Sequence, residues 1–118
     1  METKNALRCL SALAQESRLA AFRLLVKAGP EGLAQGNIAR KLGIAANTLS
    51  AQLLILANAG LVGARREGRS IFYAVDFKQM SGLLLFLTKD CCGGRAEICA
   101  PLAATMTNCN PSKRIGAR

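Results

Sequence analysis

Between Gly36 and Gly60 the chain sets two short helical patterns on either side of a three-residue turn, and few folds accommodate that arrangement. The first, Gly36-Asn37-Ile38-Ala39-Arg40-Lys41-Leu42-Gly43, ends on a glycine. The turn Ile44-Ala45-Ala46 follows. The second pattern runs from Asn47 to Asn58, with Leu49, Leu53 and Leu56 on one stripe and Gly60 as its stop. Two short helices joined by a tight, glycine-containing turn describe a helix-turn-helix.

The flanking segments complete the fold. Leu7, Leu10, Leu13 and Ala14 fall at helical spacing and predict a first amphipathic helix over about residues 3–14. Ser17 is the expected N-cap of a second helix, which carries Leu19, Phe22, Leu25 and Val26 on one face and stops at Gly29-Pro30. Residues 61–66 and 70–75 read as strands of a β-hairpin whose tip is Glu67-Gly68-Arg69. Helix returns from Phe77 to about Lys89, apolar at Leu83, Leu84, Phe86 and Leu87. The order is helix, helix, helix-turn-helix, hairpin, helix. The expected fold is therefore mainly α, a winged helix-turn-helix with one β-hairpin wing.

Composition supports a packed domain with a polyanionic partner. Apolar residues make up 51% of the 118, enough for a core. No apolar run approaches the roughly 18 residues of a membrane span, and the N-terminus lacks a signal-peptide core, so a cytosolic protein without a membrane partner is expected. Sixteen Lys and Arg against seven Asp and Glu leave a formal charge of +9, which favours nucleic acid as the partner.

In a helix-turn-helix the N-terminal residues of the second helix reach base edges in the major groove. Here those include Asn47, Thr48, Ser50 and Gln52. Asn and Gln can read adenine through paired hydrogen bonds, and Thr or Ser can serve bases or phosphates. No Lys or Arg lies between Asn47 and Asn58. Phosphate attraction is therefore assigned to Arg40 and Lys41 on the preceding helix and to Arg65, Arg66 and Arg69 on the wing.

The other informative stretch is Cys91-Cys92-Gly93-Gly94-Arg95-Ala96-Glu97-Ile98-Cys99, three thiols in nine residues of a chain with no histidine. Three sulfurs without imidazole suit a soft ligand or a redox site better than a hydrolytic metal centre. Five cysteines in a cytosolic chain argue against a disulfide framework.

The chain resembles the arsenic- and metal-responsive repressors of the ArsR/SmtB type. The resemblance spans about Leu7 to Lys89. It is carried by Leu10-Ser11-Ala12-Leu13-Ala14, Ser17-Arg18-Leu19, Ile38-Ala39-Arg40-Lys41-Leu42-Gly43, Thr48-Leu49-Ser50-Ala51-Gln52-Leu53, Leu56, Ala59-Gly60-Leu61-Val62 and Arg66-Glu67-Gly68-Arg69. It implies a homodimer whose first and last helices form the interface, bound to an inverted-repeat operator and released by an inducer. Many arsenic sensors of this type carry a Cys-x-Cys on the first helix of the helix-turn-helix, where this chain has Leu33-Ala34-Gln35-Gly36-Asn37. Zinc-responsive members use histidine, which this chain lacks. Sensing then falls to Cys91, Cys92 and Cys99, a paired-plus-one pattern similar to that of an arsenite-sensing branch.

Three thiolates can surround As(III), or Sb(III), in a trigonal pyramid. Gly93-Gly94 permits the bend that would bring Cys99 back onto the Cys91-Cys92 pair. The expected organisation is a DNA-binding and dimerisation domain over residues 1–90 and an inducer-binding segment with a tail over 91–118. Cys9 reads as a core or interface residue and Cys109 as part of the tail. No resident cofactor is required. A thiol redox switch, another soft metal and methylarsenite stand as alternative stimuli. An enzyme is not expected, since the chain has no Cys-x-x-Cys at a helix start and no histidine.

Overall fold

The computed structural model describes residues 1–88 of the chain. The chain divides between Phe86 and Leu87 into two units, and the first of them holds the fold described below. It consists of α1 (Thr3–Leu13), α2 (Glu16–Ala28), β1 (Leu33–Ala34), α3 (Gln35–Leu42), α4 (Ala46–Asn58), β2 (Val62–Glu67) and β3 (Ser70–Val75), followed by α5 (Phe77–Thr88). This is the expected winged helix-turn-helix. Among the described residues no helix is long and apolar enough to cross a membrane.

Both helices of the helix-turn-helix end on the same device. Leu61 N–H bonds to the Leu56 carbonyl and Gly60 N–H to that of Ala57, the two bonds of a Schellman motif. Gly60 has φ +81°, which a side chain would resist. Gly43 ends α3 in the same way, with Ile44 N–H on the Ala39 carbonyl and its own N–H on that of Arg40. These two stops fix where α4 begins and how the chain leaves it for the wing.

One core runs beneath all the elements. Leu25, Ile38, Leu49, Leu53, Leu56 and Leu61 are fully buried, so the stripe expected on α4 is the side that packs inward. Truncating any one of these leucines to alanine would cost about 2–5 kcal/mol.

The structure differs from the sequence reading in three places. On α1 the buried face is Ala6, Cys9 and Ala12, whereas Leu7 is 61% and Leu10 38% exposed. The α2 cap is Gln15, whose side-chain oxygen accepts from Arg18 N–H at 2.9 Å, and Ser17 lies inside the helix. Finally, a two-residue strand, β1, precedes α3 and pairs antiparallel with β3, Leu33 opposite Tyr73 and Ala34 opposite Phe72. The sheet order is β1-β3-β2. Gly32 makes this possible: it has φ +71°, and a Cβ there would sit 2.0 Å from the Tyr73 carbonyl oxygen.

Candidate nucleic-acid interface

The outward side of α4 is uncharged: polar in its first turn, with Leu54 and Ile55 exposed further along. Asn47, Thr48 and Ser50 are exposed, and Gln52, on the flank of the buried stripe, is half-buried. Asn47, Ser50, Ala51 and Leu54 line an open groove of about 590 Å³ closed on its other sides by Gln35 and Tyr73. The groove lies between the start of the helix-turn-helix and the wing, so a ligand held by α4 would meet the sheet as well. Gln35 donates from its amide to the Ala46 carbonyl at 3.4 Å, tying the start of α3 to the start of α4.

Two of the amides of α4, Asn47 and Gln52, are engaged within the protein. The Asn47 side-chain oxygen accepts the Thr48 backbone N–H at 2.9 Å, satisfying one of the unpaired donors at the helix start. The Gln52 oxygen accepts from Arg18 Nη1 at 2.8 Å, and Arg18 Nε donates to the Ala12 carbonyl at 2.6 Å. Arg18 thus joins the end of α1 to the middle of α4. Local sequence signals could not reveal this bridge, because Arg18 and Gln52 are 34 positions apart.

The expected cations differ in their engagements. Arg40 and Lys41 are exposed in the last turn of α3, and Arg40 donates to the side-chain oxygen of Asn37. On the hairpin, side chains alternate between faces, and cross-strand partners share one. Arg65 opposes Phe72, and Arg66 opposes Ile71 on the face that also carries the buried Tyr73 and Val75. Arg66 therefore extends the inner face of the sheet, the side of the groove, and is exposed. Arg65 lies on the other face: its guanidinium sits 4.9 Å from the Phe72 ring centroid, pairs with Glu67 and donates to the Glu31 carbonyl at 3.1 Å. Arg69 at the wing tip lines a second open cavity with Gly36 and Ala46, at the entry to both helices of the motif. Spatially, then, Arg66 and Arg69 accompany the α4 face, and Arg65 braces the wing.

A separate polar joint sits at the far end of α4. Asp76 caps α5, accepting Gln79 N–H on its carboxylate at 3.1 Å. The Gln79 side-chain amide donates to the Ala59 carbonyl at 2.9 Å, Asn5 Oδ1 at 3.3 Å and Cys9 Sγ at 3.4 Å. Cys9 is fully buried and directs its thiol at the same Ala59 carbonyl. It is a core residue. Cys91, Cys92, Cys99 and Cys109 lie outside the described residues. Among the described residues no group of three or more His, Cys, Asp or Glu could hold a metal ion.

No protein-family model and no curated relative matches the chain. Solved structures do. The chain is similar to the homodimeric winged helix-turn-helix DNA-binding domain (fragment 1–100) of a possible ArsR-family transcriptional regulator from Mycobacterium bovis. Identity is 31%, covering 74% of this chain and 81% of that one, with a TM-score of 0.59. It is 29% identical to the transcriptional repressor BigR from Xylella fastidiosa, covering 70% and 82% of the two chains, with a TM-score of 0.56. A possible transcriptional regulator for arsenical resistance is 26% identical over 66% of this chain and 78% of its own, with a TM-score of 0.59.

Proposed function

Because the chain belongs to the ArsR family of winged helix-turn-helix transcriptional regulators, we propose that it is a cytoplasmic repressor that holds operator DNA as a homodimer and releases it on binding trivalent arsenic. The observation that carries the DNA reading is the outward face of α4. It presents Asn47, Thr48 and Ser50 to solvent, with cations beside it on α3 and on the inner face of the wing rather than on the helix itself. Arg40, Lys41, Arg66 and Arg69 would neutralise phosphates and set the register, while the uncharged helix reads bases. Two copies would place their α4 helices in successive major grooves, about 34 Å apart.

Self-association has a surface to use. Leu7 and Leu10 on α1 are exposed, as are Leu84 and Leu85 on α5, although each of these helices buries its opposite side. Large apolar side chains in such numbers on two helices suit an interface better than solvent. The similar domain from M. bovis is homodimeric, which supports self-association.

The inducer reading rests on thiol chemistry. Cys9 is committed to the core, and the described residues offer no other soft-ligand set. Cys91, Cys92 and Cys99, three thiols following α5 in sequence, are therefore the assigned ligands of As(III), with Sb(III) equivalent in coordination. The similarity to a possible transcriptional regulator for arsenical resistance is consistent with this. A signal arriving on α5 has a short way to the reading head, because Gln79 of α5 bonds the carbonyl at the end of α4. Allosteric couplings are typically on the order of 1–3 kcal/mol.

An operator gel shift under reducing conditions tests the proposal. Arsenite should release the wild-type protein, and the Cys91→Ser, Cys92→Ser, Cys99→Ser triple variant should bind the operator yet ignore arsenite. Release of that variant by arsenite would refute the ligand assignment. Release of the wild type by peroxide alone would replace arsenic with a redox signal. No shift on any operator would remove the DNA reading.

A further inference from the structure

The outward stripe of α4 carries more than polar groups. Asn47, Ala51, Leu54 and Asn58 follow one another at steps of four, three and four residues, on one line along the helix opposite the buried leucines. All four are exposed, and the middle two are apolar. A single exposed leucine needs no explanation. Leu54, however, is 59% exposed and lines the same open groove as Asn47, Ser50, Ala51 and Tyr73.

None of the described residues lining that groove is charged. Cations stand at its edges instead. Arg69 lines an adjoining cavity with Gln35 and Ala46, and Arg66 is exposed on the sheet face that carries Tyr73. An apolar strip inside a cationic rim suits a polyanion that itself offers an apolar group within reach.

Duplex DNA is such a partner. In the major groove every base pair presents hydrogen-bonding atoms, and thymine alone adds an apolar group, its C5 methyl. A side chain without donors or acceptors, set against O6, N7 or an exocyclic amine, takes water from those atoms and returns no hydrogen bond. Set against the methyl, it removes apolar surface from water on both sides. Ala51 and Leu54 are three residues apart, about 4.5 Å along the helix axis. That is little more than one base-pair step of about 3.4 Å, so the two can face neighbouring base pairs.

Resting on the DNA-binding reading above, we infer that Ala51 and Leu54 are specificity-determining residues that select thymine through its methyl group. Asn47 and Ser50, in the same groove, supply the hydrogen-bonding contacts beside them. The helix thus reads part of each half-site by apolar contact and needs no charge of its own to do so.

The test selects half-sites for the wild-type protein from a random-sequence duplex pool, then replaces each thymine of the preferred half-site singly by uracil. Uracil keeps every hydrogen bond of thymine and lacks only the methyl. The affinity ratio of the two duplexes, taken within one protein, therefore isolates that group whatever a substitution does to folding stability. Wild type should lose about fourfold at one or two positions, the worth of one buried methyl group. Leu54→Ala should abolish the difference at one of them, and Leu54→Met should restore it. Ala51→Gly should abolish it at the neighbouring position, with Ala51→Ser in its place if the glycine variant does not fold. At the same positions 5-methylcytosine should bind more tightly than cytosine, since it carries the same methyl. A wild type indifferent to every uracil overturns the inference, as does a methyl preference unchanged in the variants at both residues. A shift of Leu54→Ala from dimer toward monomer in sedimentation also overturns it, by assigning Leu54 to self-association. Absence of binding to any duplex would instead defeat the DNA reading on which the inference rests.

Discussion

Gln79 on α5 donates its side-chain amide to the carbonyl of Ala59, 2.9 Å away, at the last turn of α4. This single contact joins the helix that precedes the thiols in sequence to the helix proposed to read DNA. It also closes a buried corner in which Asn5 and Cys9 share the same amide. Replacing Gln79 with alanine removes all three bonds and leaves the Ala59 carbonyl with the weak Cys9 thiol donor. The expected cost is about 1–3 kcal/mol of unfolding free energy, read as an earlier midpoint in urea.

Gly32 is the least replaceable residue of the wing junction. A Cβ at that position would lie 2.0 Å from the Tyr73 carbonyl oxygen, and the backbone there has positive φ. Gly32→Ala must therefore displace β1 from β3. We expect a loss of at least about 3 kcal/mol, with reduced soluble yield and a lowered melting temperature by circular dichroism.

The neighbouring arginines Arg65 and Arg66 should separate cleanly. Arg66 lies on the inner face of the sheet and is exposed, so Arg66→Ala should weaken binding to all duplexes alike and flatten the slope of log affinity against log salt by about 1. Arg65 is held by Glu67, Phe72 and the Glu31 carbonyl on the outer face. Arg65→Ala should leave the salt slope unchanged and cost under about 1 kcal/mol, because its ion pair is exposed.

Leu7 is 61% exposed on a helix whose other side is buried. Leu7→Lys should leave the unfolding free energy of the domain within about 0.5 kcal/mol while shifting sedimentation equilibrium from dimer toward monomer. Operator affinity should fall with it, since one copy engages a single half-site. A variant that stays dimeric at micromolar concentration would exclude α1 from the interface.

Much of the fold was legible because its signals are local. The leucine stripe of α4, the glycine stops at Gly43 and Gly60 and the hairpin tip at Glu67-Gly68-Arg69 each operate within a few residues, and each is present in the structure. The cap of α2 was misplaced by two residues, because Gln15 serves the backbone through a side chain that is not among the usual capping types. Strand β1 was invisible for a different reason. Two residues carry no periodicity, and Leu33 pairs with Tyr73, 40 positions away.

The faces of the helices mark the boundary between the two sources of information. On α1 the sequence shows leucines at helical spacing and invites the conclusion that they are the core. The structure buries the smaller Ala6, Cys9 and Ala12 and turns Leu7 and Leu10 outward, because α1 lies close against its neighbours and small residues allow that approach. Residue spacing establishes that a helix has a stripe; only the packing partners decide which stripe is inside.

The same division holds for the reading face. By itself, the sequence determined the helix-turn-helix, the wing, the excess of cations and the polar residues that begin α4, since propensity, capping and charge are properties of neighbours along the chain. Only the tertiary structure decided which partners those residues meet. Arg18 comes to Gln52 through folding, Arg65 packs on Phe72 while Arg66 shares the opposite face of the sheet with Tyr73, and contacts across such distances in sequence have no local signature.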